Sequence, residues 1–280
     1  MNGVVVSMLV NTDLDKIYKS GQCFGIEKLS DGGYAFISGQ RFCLCRNNDT
    51  ENSLLTCYQK DIGYWHNYFN TSQKTKEVKK LYKELYPSTV TTEVCAVSDG
   101  LRLLRQDFID CLLSFITVQR RSVKQGYTGM KRLRDTYGTK VDLESVLGAS
   151  GAGKSISLFP TLAQLRVLTE KDFSNLGFGY RSSYLFHAVQ GLSNGAIAES
   201  NYRGLTLEKA VTNLKYISGV GDKTANCVAL YSLGYEDAYP RDVHILNFER
   251  DYCNGHFKEE LFGTSAGLVQ LWQYYYMRNA

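Results

Sequence analysis

Apolar and polar positions alternate over the first sixty residues and then switch to a helical period. VVVSMLV (4–10) is an apolar run, GYAFISG (33–39) and RFCLCR (41–46) alternate, and SLLTCYQ (53–59) follows the polar turn NNDTEN. A period of two with one buried side predicts an antiparallel meander. Ser30-Asp31-Gly32-Gly33 and Ser38-Gly39-Gln40 supply turn residues between the strands, and Ser20-Gly21-Gln22-Cys23-Phe24 reads as a loop. From Asp61 the period changes. DIGYWHNYFN predicts a short aromatic helix, and TKEVKKLYKELY places Val78, Leu81, Tyr82, Leu85 and Tyr86 at helical spacing with its lysines on a solvated face. Pro87-Ser88 ends that helix. The irregular stretch around 88–100 predicts a domain boundary.

Everything beyond reads as helix. LRLLRQDFIDCLLSFITVQ is apolar nearly all round, which predicts a central buried helix. VKQGYTGMKRLRDTYG continues as an amphipathic helix stopped by Gly138. Thr169 to Asp172 has the form of a capping box. Apolar helical runs at Leu207–Leu214 and Thr224–Leu233 flank the turn Ile217-Ser218-Gly219-Val220-Gly221, and LFGTSAGLVQLWQYYYMRN closes the chain. Strands first and helices afterwards predict an α+β fold in two parts, 1–95 and 96–280.

Composition narrows this only slightly. The chain of 280 residues is 44% apolar and 21% charged, with a net charge of +4 and no low-complexity tract. That excludes a disordered or fibrous chain and permits nucleic-acid binding without demanding it. No apolar run reaches the roughly 20 residues a membrane span needs. The N-terminus lacks a basic leader with a small-residue cleavage site, so a cytoplasmic protein is expected. The eight cysteines sit mostly inside apolar patterns, which predicts buried thiols. Cys43 and Cys45 share one strand face, and no spacing resembles a zinc or iron–sulfur set.

Chemistry concentrates between Leu214 and His244. Gly219 and Gly221 permit positive φ and a close backbone approach, and the next helix begins with amides that lack intrahelical partners, an anion site. Lys223 stands one residue into that helix, where the positive dipole end disfavours a cation by roughly 0.3–1 kcal/mol. With partial burial, that field predicts a lysine pKa below the ordinary value and an amine able to act as a nucleophile. Asp242, after Pro240 and before VHILNFERDY, stands where an N-cap belongs; facing the same cleft, it would stabilise a cation or accept a proton. Two blander readings fit the same spacing. Lys223 would contact phosphate in a non-catalytic DNA-binding hairpin, and Asp242 would be an N-cap alone. His244 reads as a packed residue behind the site.

The segment LKYISGVGDKTANCVALYSLGYEDAYPRDVH resembles the helix–hairpin–helix and following aspartate loop of the DNA glycosylase superfamily. SGQCF, GLRLLRQDFIDCLLSFIT, LGFGYRSSYL and AGLVQLWQYYY, in that order, are similar to the 8-oxoguanine DNA glycosylase/AP lyase family over nearly the whole chain. The resemblance implies a β-sheet domain followed by two helical subdomains, a hairpin near 207–233, and a terminal helix over 266–278 that packs back toward the first domain. It implies that Lys223 attacks C1′ of a flipped-out damaged nucleotide, displaces the base and forms a Schiff base that permits strand nicking by β-elimination, with Asp242 supporting positive charge at the sugar. Gly21 would accept a hydrogen bond from N7–H of 8-oxoguanine, a proton guanine lacks. Gln270 would read the base edge, with Tyr274 and Cys227 packing on its two faces. Gly219, Val220, Gly221 and His244 would meet the DNA backbone. The chain departs from the family at Gln119, Arg120, Arg121, Ser122 and Gln125, where asparagines and an arginine usually read the orphaned cytosine, while Tyr180 and Arg181 still match. A relaxed opposite-base preference is therefore expected, with an arginine of that loop on phosphate.

The resemblance further implies duplex DNA carrying 8-oxoguanine as partner, a monomer, and no required cofactor. The superfamily often holds a monovalent cation at its hairpin. An iron–sulfur relative is disfavoured because only Cys253 follows the Asp-Val-His. The compact ends fit a prokaryotic protein acting on nucleoid DNA. A glycosylase for another oxidised base and a non-catalytic damage-binding module are the alternatives.

Overall fold

The computed structural model describes residues 3–279, with residues 50 and 152 excepted. Five antiparallel strands form the N-terminal sheet: β1 (Val4–Leu9), β2 (Ile26–Lys28), β3 (Tyr34–Ser38), β4 (Arg41–Asn47) and β5 (Ser53–Tyr58), in the order β1-β5-β4-β3-β2. Helix α1 (Leu14–Ser20) interrupts the stretch read as strands. It is only seven residues long, but Asp13 caps it by accepting from the Lys16 amide at 3.0 Å, and Gly21 ends it at φ 71°. Too short for a period to show, it owes its stability to these caps and to buried Leu14 and Ile17.

The helices α2 (Ile62–Tyr68) and α3 (Thr75–Leu85) fall where the pattern puts them. The segment expected to be an irregular boundary is instead α4 (Thr89–Val97), capped by Ser88. Its threonines hide the period, and the expected cut between 95 and 96 falls inside it. Next comes α5 (Phe108–Thr117), buried along almost its whole length and in contact with α6 (Val123–Tyr137) on one flank. Residues 101–106 are not helical as their composition suggested, because tertiary partners take their backbone groups. The Arg105 amide donates to the Tyr68 carbonyl at 2.9 Å and the Gln106 amide to the Tyr231 carbonyl at 2.7 Å, while Leu104 donates to the Gln22 side chain at 2.9 Å. The Gln22 amide in turn donates to the Arg102 carbonyl, so the loop after Gly21 is clamped to the run leading into α5.

An unforeseen ribbon of β6 (Lys140–Asp142) and β7 (Ser155–Ser157) flanks α7 (Glu144–Leu147). The chain continues through α8 (Leu162–Leu165), α9 (Glu170–Asn175) with its Thr169–Asp172 capping box, and α10 (Arg181–Ser193). The hairpin helices α11 (Leu207–Leu214) and α12 (Asp222–Tyr231), then α13 (Val243–Tyr252) and α14 (Ala266–Asn279), complete it. Both α10 and α12 pack on α5. The terminal helix α14 returns to the N-terminal part of the chain: the Trp272 indole donates to the Leu101 carbonyl at 3.4 Å, Gln273 to the Tyr82 hydroxyl at 2.9 Å, and Tyr276 to Glu93 at 2.8 Å. One connected core therefore runs through sheet and helices. No helix among the described residues is long and apolar enough to cross a membrane.

Candidate active site

The hairpin turn is built around Gly219. Its φ is 81°, and a Cβ there would lie 2.4 Å from the Tyr184 ring, so geometry and space both require glycine. Gly221 differs from the expectation: at φ −97° and ψ −178° it is extended backbone that any residue adopts. Its missing side chain opens onto free space at the start of α12, where no side chain caps the first amides. Those amides and the positive helix end can face an anion. Val220 is buried beneath the turn. The Gln119 side-chain amide donates to the Gly219 carbonyl, and the Arg181 Nε donates to the Gln119 carbonyl at 2.9 Å. The hairpin is thereby tied to the loop after α5.

The second residue of α12 is Lys223, half exposed, with Nζ 3.5 Å from Asp242 Oδ2. Asp242 caps α13, its Oδ1 accepting from the amides of His244 at 3.0 Å and Ile245 at 3.2 Å. One oxygen holds the helix and the other faces the lysine, so the N-cap reading and the charge-partner reading are both satisfied by one side chain. The expected depression of the lysine's pKa is overturned in this state. Removal from water acts to lower it, while the neighbouring Cys227, Asp242 and Tyr274, with the hydrogen bond to Asp242, act to raise it, and the ammonium is held above its ordinary range. The Cys227 thiol is itself pushed up to about 12 by burial, against the pull of Lys223, and burial raises the Tyr274 phenol. Both are neutral near pH 7, which leaves Asp242 as the partner of the ammonium. Cys227 is a neutral, buried thiol one helical turn from the lysine and outside the cleft lining, rather than a second nucleophile.

Lys223 and Asp242 open onto a cleft of about 630 Å³ whose other walls include Phe115, His244, Tyr274 and Arg278. His244 meets the Tyr274 ring edge to face, with centroids 5.5 Å apart at 87°. Gln270 stands deeper on α14, 4% exposed and outside the cleft lining, with its amide nitrogen donating to the Pro240 carbonyl at 2.8 Å and its amide oxygen buried without a partner. A buried orphan acceptor costs about 1–3 kcal/mol. Gly21 lies behind the cleft wall: a Cβ on it would meet Val123 at 2.8 Å and Arg278 Nη1 at 3.3 Å. Its carbonyl accepts no hydrogen bond from the described residues.

The residues expected at the opposite base divide. Gln125 closes a capping box with Ser122 at the start of α6, accepting from the Ser122 amide at 2.9 Å. Arg121 donates to the Gly177 carbonyl at 2.6 Å, and Arg181 is 5% exposed and spent on the Gln119 and Phe178 carbonyls. Arg120, exposed and held at φ 51°, lines the mouth of the Lys223 cleft, and Tyr180 is 54% exposed. A positive φ in a long side chain is a strained state that its surroundings must maintain.

Two features were not foreseen. The rings of Phe115 and Tyr231 stack at 5.6 Å and 6°, locking α5 to α12 beneath Lys223. Arg278 places its guanidinium 5.3 Å from the centroid of the Tyr274 ring. The i, i+4 spacing of Tyr274 and Arg278 on one helix face was the signal available for it.

Known proteins bear on this geometry. Residues 5–112 match the family described as 8-oxoguanine DNA glycosylase, N-terminal domain. The N-glycosylase/DNA lyase OGG1 of Arabidopsis thaliana is 32% identical over 160 residues, 55% of this chain and 41% of that protein. The chain thus spans about two fifths of the length of the first curated relatives it matches, 41% and 42%. The apo structure of Clostridium acetobutylicum 8-oxoguanine glycosylase/lyase superposes with a TM-score of 0.85 at 25% identity, covering 99% of this chain and 97% of that one. The structure of MBOgg1 with a low-affinity DNA ligand gives 0.86 at 25%, covering 98% and 95%. The N-terminal part of the chain thus matches the 8-oxoguanine DNA glycosylase family, and its whole length is similar in fold to solved 8-oxoguanine glycosylase/lyase structures.

Proposed function

We propose that the chain excises 8-oxoguanine from duplex DNA and then nicks the strand. The observation that carries this reading is the pair formed by Lys223 and Asp242, 3.5 Å apart at the uncapped start of the second hairpin helix and open to one cleft. The hairpin amides take a backbone phosphate, and the damaged nucleotide swings out of the stack into the cleft, at a cost of a few kcal/mol. Lys223 first gives up a proton, for which Asp242 is the nearest base, at a distance that tightens readily once DNA is bound. The neutral amine attacks C1′ as the glycosidic bond breaks and the base leaves with the bonding electrons. The C1′–O4′ bond then opens as the nitrogen gives up a proton and O4′ takes one, and the resulting imine makes the C2′ proton acidic, so that its loss expels the 3′ phosphate. Asp242, ionised again, faces the positive charge that develops at the sugar. Nothing in this sequence calls for a cofactor.

Recognition is assembled from both chain ends. The free Gly21 carbonyl suits N7–H of the lesion, and the orphan Gln270 oxygen suits a donor on the base edge. Tyr274 and Cys227 offer an aromatic and an apolar face. Opposite-base preference is relaxed, because Arg121, Gln125 and Arg181 already hold protein groups. A lost bidentate pair removes about 1–3 kcal/mol of discrimination. Cleavage of 8-oxoguanine opposite C, A, G and T is expected to agree within about tenfold; a cytosine preference of about a hundredfold or more would overturn this part.

Borohydride trapping on lesion duplex tests the main reading. The wild-type chain is expected to form a covalent complex that Lys223→Gln abolishes. No complex, or one that survives the substitution, leaves the non-catalytic damage-binding reading in its place.

A further inference from the structure

Arg278 lines the cleft of Lys223, yet no carboxylate among the described residues forms an ion pair with it. Its one hydrogen bond among the described residues is from Nη1 to the Lys19 carbonyl, at 3.2 Å. The same nitrogen lies 3.3 Å from where a side chain on Gly21 would begin, and the guanidinium carbon is 5.3 Å from the Tyr274 centroid. Arg278 therefore bridges the recognition aromatic and the Gly21 loop. With Val123 it also forms the partition between this cleft and a neighbouring groove of about 580 Å³. A guanidinium has five N–H donors, and four remain.

The base edge that Gly21 is suited to read alternates in polarity. N7–H of 8-oxoguanine is a donor flanked by two carbonyl oxygens. The Gly21 carbonyl can accept from N7–H but can satisfy neither oxygen, whereas a guanidinium beside it can donate to one. We infer that Arg278 is a specificity-determining residue that donates a hydrogen bond to a carbonyl oxygen flanking N7–H of the flipped base. The inference rests on the base-excision reading above. A backbone phosphate oxygen is the other acceptor such a donor could meet, and an abasic site retains the phosphates while lacking the base.

Single-turnover excision on an 8-oxoguanine duplex and borohydride trapping on the matching abasic duplex separate the two. Arg278→Met, which keeps the apolar stem, is expected to slow excision about thirtyfold, the scale of one charge-assisted hydrogen bond, with abasic trapping changed less than about twofold. Equal losses on both duplexes at an unchanged melting temperature would place Arg278 on phosphate and overturn the inference, as would no loss on either. Arg278→Lys, able to keep the tether to Lys19, repeats the comparison should the methionine variant melt early. It is expected to lose about fivefold or more on 8-oxoguanine alone, since a compact ammonium lacks the planar fork, and a wild-type rate in it overturns the inference. Failure of the wild-type chain to trap on abasic DNA would instead remove the lyase reading.

Discussion

Lys223 shows how far one residue's chemistry can be read in isolation. Its place at a helix N-terminus pointed to a depressed pKa, and the folded chain raises it, because Asp242, nineteen residues further along the sequence, arrives 3.5 Å away. Desolvation alone would have lowered the pKa; the counter-charges decide the sign. A consequence follows for the pH dependence. Asp242→Asn removes one of the groups holding the ammonium up, so the lysine loses its proton at lower pH. The rising limb of the abasic trapping rate is expected to move to lower pH in that variant. Excision at its plateau falls about a hundredfold to a thousandfold, the range for deleting one group aimed at developing charge. An unshifted limb would show that the pair is not electrostatically coupled.

At the scale of elements, periodic segments were legible and capped or clamped ones were not. The helices α3 and α6 match their patterns because each buries one face, and α14 because its apolar N-terminal half is buried all round. Helices α1 and α4 were hidden by shortness and by threonines, and residues 101–106 were drawn out of helix by Gln22, Tyr68 and Tyr231. The hairpin was legible as a turn, but only the fold separates its two glycines. Gly219→Ala would force a Cβ into the Tyr184 ring at φ 81°, whereas Gly221 meets open space. Gly219→Ala is expected to destabilise the chain by about 1–3 kcal/mol and to weaken duplex binding, while Gly221→Ala leaves stability within about 0.5 kcal/mol. Denaturant titration of the two variants makes the comparison, and equal losses would contradict the distinction.

At the scale of the whole molecule, the joint between sheet and helices contains a buried acid. Asp110 on α5 is 6% exposed, and its carboxyl is pushed up to about 7 by burial, with the Asp107 charge adding to this and Arg134, the Gly39 amide and Ser114 opposing it. The folded chain therefore holds this proton more tightly than the unfolded chain, whose carboxyl has the ordinary value of 3.8. Stability from this group is full below that value, is lost as pH rises toward about 7, and is level above it. Asp110→Asn removes the loss. Its melting temperature is expected to gain on the wild type between pH 5 and 8 by about 2 °C or more, and parallel curves would show that Asp110 does not titrate there. The sequence by itself determined the α+β order, the hairpin with its lysine and aspartate, and the resemblance to the 8-oxoguanine glycosylases, because each is written in local period, turn chemistry or contiguous motif. Only the tertiary structure decided that Arg121 and Arg181 are occupied by protein groups, that the Gln270 oxygen is left over, and that Arg278 stands between Gly21 and Tyr274. Those outcomes depend on which distant backbone carbonyl reaches each side chain first, and spacing along the chain carries no record of that.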